Sequence, residues 1–187
     1  MIGRVSELEG PGTLSPPEKP GERHSRRLRQ GLALVFAGAL ALLLVHALLL
    51  EVFVVGGSSM DPTLRETDRV VVVKVLGVRR GDLVVFKNPW DGGQNVIKRV
   101  VATEGERVAI KAGRVLVNGR ELGEPYLTHP ADHDATEDRA EEVLAPGRIF
   151  VLGDNRVASL DSRKFGPIET RLIVGRAVLA LWPPRKL

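Results

Sequence analysis

Hydrophobic and polar positions change their spacing twice along this chain, and each change predicts a different kind of structure. Residues 1–30 show no apolar face at any period: Pro11, Pro16, Pro17 and Pro20 alternate with glycine and charge. Such a stretch buries too little to offset its ordering entropy and reads as a disordered leader. Residues 31–55 are then apolar almost throughout, with His46 and Glu51 their only polar side chains. As a helix this run would be roughly 37 Å long, more than the ~30 Å hydrocarbon core of a bilayer. From residue 67 the spacing changes again. Short β-branched runs at 69–75, 81–87, 95–102, 107–111, 114–117, 148–152 and 172–181 are separated by turn residues. Ala112-Gly113 is placed to close a hairpin, and Asn118-Gly119 signals another turn. The pattern predicts a mainly β fold: an antiparallel sandwich or barrel-like domain over 56–187, with a smaller insertion at about 111–147.

The flanks of the apolar run set its expected role. Arg23, Arg26, Arg27 and Arg29 precede it, while Glu51 and Asp61 lie at and beyond its far end. A cleaved secretory signal would have a shorter apolar region of ~7–15 residues and a small-x-small cleavage site. Residues 54–58 match such a site only weakly, so an uncleaved transmembrane signal anchor is favoured. The arginines predict a single pass through the cell membrane, with the leader cytoplasmic and residues 56–187 outside.

Composition narrows the classes. The 187 residues include no cysteine, which excludes a disulfide scaffold, a thiol nucleophile and cysteine-ligated zinc. The net charge of +4 comes with only 4% aromatic residues and a basic excess at the two ends, so no nucleic-acid partner is expected. The acidic stretch 128–142, with His129 and Asp132-His133-Asp134, reads as a solvated loop, because nothing orders its spacing for a metal. No metal or cofactor is expected. Trp182, beside the basic tail, suits either a lipid interface or packing on the sheet.

Three stretches carry candidate chemistry. Residues 56–64 offer Ser59 in a glycine-rich approach, with Pro62 just after. A serine hydroxyl needs a base to attack. None of the four histidines (His24, His46, His129 and His133) is placed to serve. Lys98 lies between Val96 and Val100 on one face of an expected strand, with Arg99 pointing the other way. As a base its pKa must fall from about 10.4 towards 7–8, roughly 4 kcal/mol against the charged form, which burial can supply. Residues 153–166 form a polar loop in which Ser159, Ser162 and the Asp161 and Arg163 pair can bond one another. Taken singly, each stretch also reads blandly: a linker, a snorkelling lysine and a solvated loop.

Their order is the stronger signal. Ser59-Met60-Asp61-Pro62-Thr63-Leu64, Gly81-Asp82-Leu83-Val84-Val85-Phe86, Ile97-Lys98-Arg99-Val100-Val101 and Gly153-Asp154-Asn155-Arg156 through Asp161-Ser162-Arg163 follow one another behind an apolar anchor. Together they resemble the boxes of bacterial type I signal peptidases, from the anchor to Trp182. The resemblance implies a membrane-anchored serine endopeptidase that uses a Ser-Lys dyad, needs no cofactor and removes signal peptides from exported preproteins. It implies Ser59 as nucleophile, Lys98 as general base and acid, and Ser159 as the hydroxyl that orients the lysine. Asp161 and Arg163 match a structural ion pair. Phe53, Val55, Met60, Leu64 and Ile97 match shallow apolar pockets that accept small side chains at the first and third residues before the cut. The Ser59 amide would donate to the oxyanion. Gly57 stands where some members carry a serine that helps there, Gly56 replaces a common proline, and Val157-Ala158 interrupt a usually polar run. Two rival readings are a self-cleaving repressor-type Ser-Lys protease and a non-enzymatic anchored β module.

Overall fold

The computed structural model describes residues 20–74, 77–90, 92–127, 138–182 and 184–187, with side chains from Arg29 onward except at 45–48, 182 and 185. The leader up to residue 19 and the acidic stretch 128–137, with His129 and His133, lie outside the described residues. The chain divides into two units, 1–45 and 46–187. The first holds most of helix α1 (Pro20–Leu49), which opens on a proline, a residue whose fixed φ suits a first helical turn. Its Leu34, Val35 and Phe36 are among many exposed apolar side chains. Among the described residues, no helix is long and apolar enough to cross a membrane.

The apolar run 31–55 does not stay helical to its end. Helix α1 stops at Leu49 and strand β1 (Leu50–Val54) begins at once. Val52 and Val54 favour the extended state, and β1 finds an antiparallel partner in β2 (Arg69–Val73), with Leu50 opposite Val73 and Phe53 opposite Val70. Next come β3 (Leu83–Lys87), β4 (Asn95–Ala102), β5 (Arg107–Lys111), β6 (Arg114–Val117), β7 (Arg120–Glu121), β8 (Arg139–Val143) and β9 (Arg148–Leu152). One turn of helix, α2 (Ser162–Phe165), then leads to β10 (Ile168–Glu169), β11 (Ile173–Trp182) and β12 (Pro184–Lys186).

The main sheet runs β1-β2-β11-β3-β4-β9-β10, with β12 on β11, and every pairing is antiparallel. Strand β3 shows why it is apolar without a break. Leu83 and Val85 face one core cluster with Val55, Met60, Leu64, Val70 and Val72, while Val84 and Phe86 face another with Val100, Ile149 and Val151. Both faces are covered, so the period-two alternation of a half-exposed strand disappears.

The small sheet runs β7-β6-β5-β8 and starts at Arg107, a few residues before the expected insertion. Ala112-Gly113 and Asn118-Gly119 all have positive φ, the geometry that two-residue hairpins need. Strand β8 corrects the loop reading for residues 139–142. Its backbone pairs with β5, and its charges are accommodated by partners: Arg139 with Glu142 at 2.9 Å, and Arg107 with Glu141 at 3.7 Å. A third cluster (Val101, Val108, Ile110, Val115, Phe150 and Leu152 among them) joins the small sheet to β4 and β9.

Candidate active site

Ser59 lies on the loop that leaves β1. Buried Val55 anchors this loop on one side, and fully buried Met60 and Leu64 anchor it on the other. Gly57 makes the bend between them, with φ +78°, a conformation that strains other residues. The Asp61 amide donates to Ser58 O at 3.1 Å and the Leu64 amide to Met60 O at 2.9 Å. Apolar burial on both sides therefore holds a half-exposed hydroxyl in place.

Lys98 comes from β4, with Val84 opposite it in register and Val96 and Val100 in the same apolar cluster as Val84. It is 5% exposed, and its Nζ lies 2.5 Å from Ser59 Oγ, to which it donates. Burial pushes the amine down from 10.5 to about 8. Asp161 acts against that fall, Arg163 adds to it, and Asp154 acts against it. The net result is an amine that is neutral in about a tenth of molecules at pH 7, far more than an unburied lysine would be.

The loop after β9 supplies the remaining polar groups. The Asn155 amide donates to Ser59 O and Asn155 Nδ2 donates to Ser58 O, both at 3.1 Å. Asp161 accepts the Gly153 amide at 2.9 Å and both Arg163 Nε and Nη2 at 2.8 Å, and it caps α2. Ser162 Oγ accepts the Val151 amide at 3.0 Å. Gly153 is required by close approach: a Cβ there would stand 2.2 Å from Ser159 Oγ and 2.5 Å from Ser59 O. Ser159 is thus packed into the site, yet its buried Oγ has no hydrogen-bond partner among the described residues. The bond from Ser159 to the lysine is not formed in this structure.

Beside Ser59 a cleft of about 370 Å³ runs between residues 53–56 on one side and 94–98 on the other, with Val70 and Val85 also in its lining. Of the five expected pocket residues, Phe53, Val55 and Ile97 line it. Met60 and Leu64 do not; both are fully buried in the core cluster that includes Val55. Their side chains hold up the wall instead of facing the cleft.

Other buried polar pairs escaped the sequence reading. Arg99 forks onto Asp154 at 2.8 and 2.7 Å, and Arg156, wholly buried, pairs with Glu124. Tyr126 lies beneath Arg99, with the guanidinium carbon 3.9 Å from the ring centre. The signal available was Glu124-Pro125-Tyr126, an acid and an aromatic in an otherwise polar stretch, but nothing local names their partners.

The family model described as signal peptidase, peptidase S26, matches residues 27–182, which includes every element of this site. The chain belongs to that family. It is a serine endopeptidase whose substrates are preproteins carrying signal peptides. Signal peptidase I of Leptolyngbya laminosa is 32% identical, over 97% of this chain and 95% of its own length. Signal peptidase IB of Staphylococcus aureus is 32% identical over 76% of this chain and 83% of its own. The probable thylakoidal processing peptidase 2 of Arabidopsis thaliana is 36% identical over 81% of this chain, which spans 43% of that longer protein. For the peptidase, the rival of a non-enzymatic β module is thereby set aside.

Proposed function

We propose that this signal peptidase cleaves by a Ser59–Lys98 dyad and works as a single-pass membrane protein. The 2.5 Å approach of Lys98 Nζ to Ser59 Oγ carries the reading. With the amine neutral, that contact lets the serine proton pass to Nζ as Oγ attacks the scissile carbonyl. The Ser59 amide stabilises the developing oxyanion; such a donor is worth ~3–4 kcal/mol where one has been removed elsewhere. Gly57 contributes no hydroxyl to this task. The Lys98 ammonium then returns its proton to the leaving amine, the mature protein departs, and Lys98 activates the water that hydrolyses the ester. Ser159, close packed against Gly153, is proposed to take the amine as a partner in that cycle, and Asp161 with Arg163 to hold the loop's shape.

The cleft is proposed to bind the residues before the cut. Phe53, Val55 and Ile97 leave room for small side chains, in keeping with cleavage after a small-x-small sequence. The anchor reading is supported by the apolar residues 31–49 behind Arg23, Arg26, Arg27 and Arg29, with the catalytic unit on the extracytoplasmic side. Fully extended chain from Leu49 to Ser59 spans at most roughly 36 Å. An anchor there would confine enzyme and membrane-lodged signal peptide to the same plane, raising the effective concentration of each for the other.

The test is cleavage of a preprotein by the purified full chain in detergent. The product's new N-terminus should follow a small-x-small site, and Ser59→Ala and Lys98→Ala should each abolish cleavage. Normal turnover by Lys98→Ala would remove the dyad.

A further inference from the structure

The connection that leaves the small sheet after β7 reaches back to the loop that carries Asn155. Glu124 and Tyr126 lie in this connection. Glu124, its side chain 3% exposed, pairs with Arg156, whose side chain is wholly buried. Arg156 Nη1 donates to Glu124 Oε2 at 3.3 Å, and Arg156 Nε donates to Gly153 O at 3.2 Å. Tyr126 OH donates to Glu124 Oε1 at 2.7 Å. The ring of Tyr126 supports Arg99, which holds Asp154 through two bonds and Gly81 O through a third at 2.8 Å. Arg156 is therefore tied directly to Glu124, Gly153 to Glu124 through Arg156, and Asp154 to Tyr126 through Arg99. Asn155, set among them, holds the carbonyls of Ser58 and Ser59.

We propose that Glu124 and Tyr126 are positioning residues that fix the nucleophile, through Arg156, Arg99 and the bonds of Asn155. The chain of contacts is short, and its two ion pairs, Glu124 with Arg156 and Arg99 with Asp154, are buried, so it transmits a displacement instead of absorbing it. A purely stabilising role is the competing account. Buried ion pairs are poor stabilisers for their cost in desolvation, and apolar replacements of both partners are often neutral or better. The Arg156 guanidinium, however, gives what an apolar pair does not: a directional bond from Nε to Gly153 O, in the loop that carries Asn155. Burial and the neighbouring Glu124 push the Tyr126 phenol far above its ordinary value, so its O–H donates to Glu124 throughout the working pH range.

The consequence for rate rests on the Ser59–Lys98 reading; the mechanical coupling does not. The experiment uses the full chain in detergent and two variants, Tyr126→Phe and the double change Glu124→Leu with Arg156→Met. Thermal stability, amide hydrogen exchange and kcat and KM on a preprotein are measured for each. The double variant should melt within about 5 °C of the parent. Protection of the Asn155 amide should fall by about tenfold or more while amides of β3 are unchanged. Turnover should fall in kcat by about tenfold, with KM within about twofold. Tyr126→Phe should give the same pattern at about threefold. Folded variants with parental Asn155 protection and parental kcat overturn the proposal, as does a change confined to KM. If the double variant does not fold, Tyr126→Phe decides by the same readouts. A parent chain that cleaves no preprotein would end the dyad reading, while the exchange data would still decide the coupling.

Discussion

Lys98 and Ser59 stand 39 positions apart in the chain, yet Nζ and Oγ meet at 2.5 Å. The meeting needs three things at once. Strand β4 must be buried enough to lower the amine's pKa, the loop after β1 must be pinned by Val55 and Met60, and Asn155 must hold the carbonyl of Ser59. None of the three is sufficient, because a buried lysine out of reach is inert and a serine without a base is a poor nucleophile.

The pH dependence of cleavage follows from the amine. In the proposed dyad only neutral Lys98 accepts the serine proton, so kcat/KM should rise with pH through about 8. Asp161 raises the amine's pKa and Arg163 lowers it. Asp161→Asn should therefore move this acidic limb to lower pH, as far as the variant folds. A pH–rate profile on a short peptide substrate measures both, and a limb near 10.5 in the parent would contradict the burial of Lys98.

Stability should rise with pH as catalysis does, but over a higher window. The amine titrates at about 8 when folded and at 10.5 ordinarily, so the unfolded chain binds the proton more tightly. Folding is thus opposed below about 8, progressively relieved as pH rises from there to 10.5, and free of this cost above. The full cost is on the order of 3 kcal/mol. Lys98→Met should raise the thermal midpoint at neutral pH, with the gain shrinking across that window. A variant less stable than the parent at neutral pH would show that the contact with Ser59 outweighs desolvation.

Gly153→Ala tests the closeness of the site. The added methyl would meet Ser159 Oγ at 2.2 Å and Ser59 O at 2.5 Å, distances that force movement. One of the two contacts is backbone, so the loop bearing Asn155 should shift away from Ser59. Turnover should fall by about a hundredfold or more, since a displacement of ~1 Å can cost that much. Overpacking should cost about 1–3 kcal/mol of stability. Kinetics and denaturant unfolding of the same preparation report the two effects.

Phe53 and Met60 separate cleft from core. Phe53 lines the cleft, so Phe53→Ala should admit larger side chains before the cut. Met60 is fully buried, and Met60→Ala should instead cost about 2–5 kcal/mol while leaving substrate preference as it was. A panel of preproteins with graded cleavage-site residues distinguishes the outcomes.

The strands and their turns were written locally. The β-branched runs at 95–102, 107–111, 114–117 and 148–152 coincide with β4, β5, β6 and β9, because alternation and turn residues act over a few positions. The order of the serine, lysine and aspartate boxes was equally plain. Tertiary structure decided the rest. It ended the helix at Leu49 so that β1 could pair with β2, and paired the charged strand β8 with β5. It sent Met60 and Leu64 inward, left Ser159 Oγ without a hydrogen-bond partner among the described residues, and joined Glu124 to Arg156 across 32 positions. Periodicity states which residues share a face; only the packed chain, through register and the exclusion of water, states which distant groups those faces bring together.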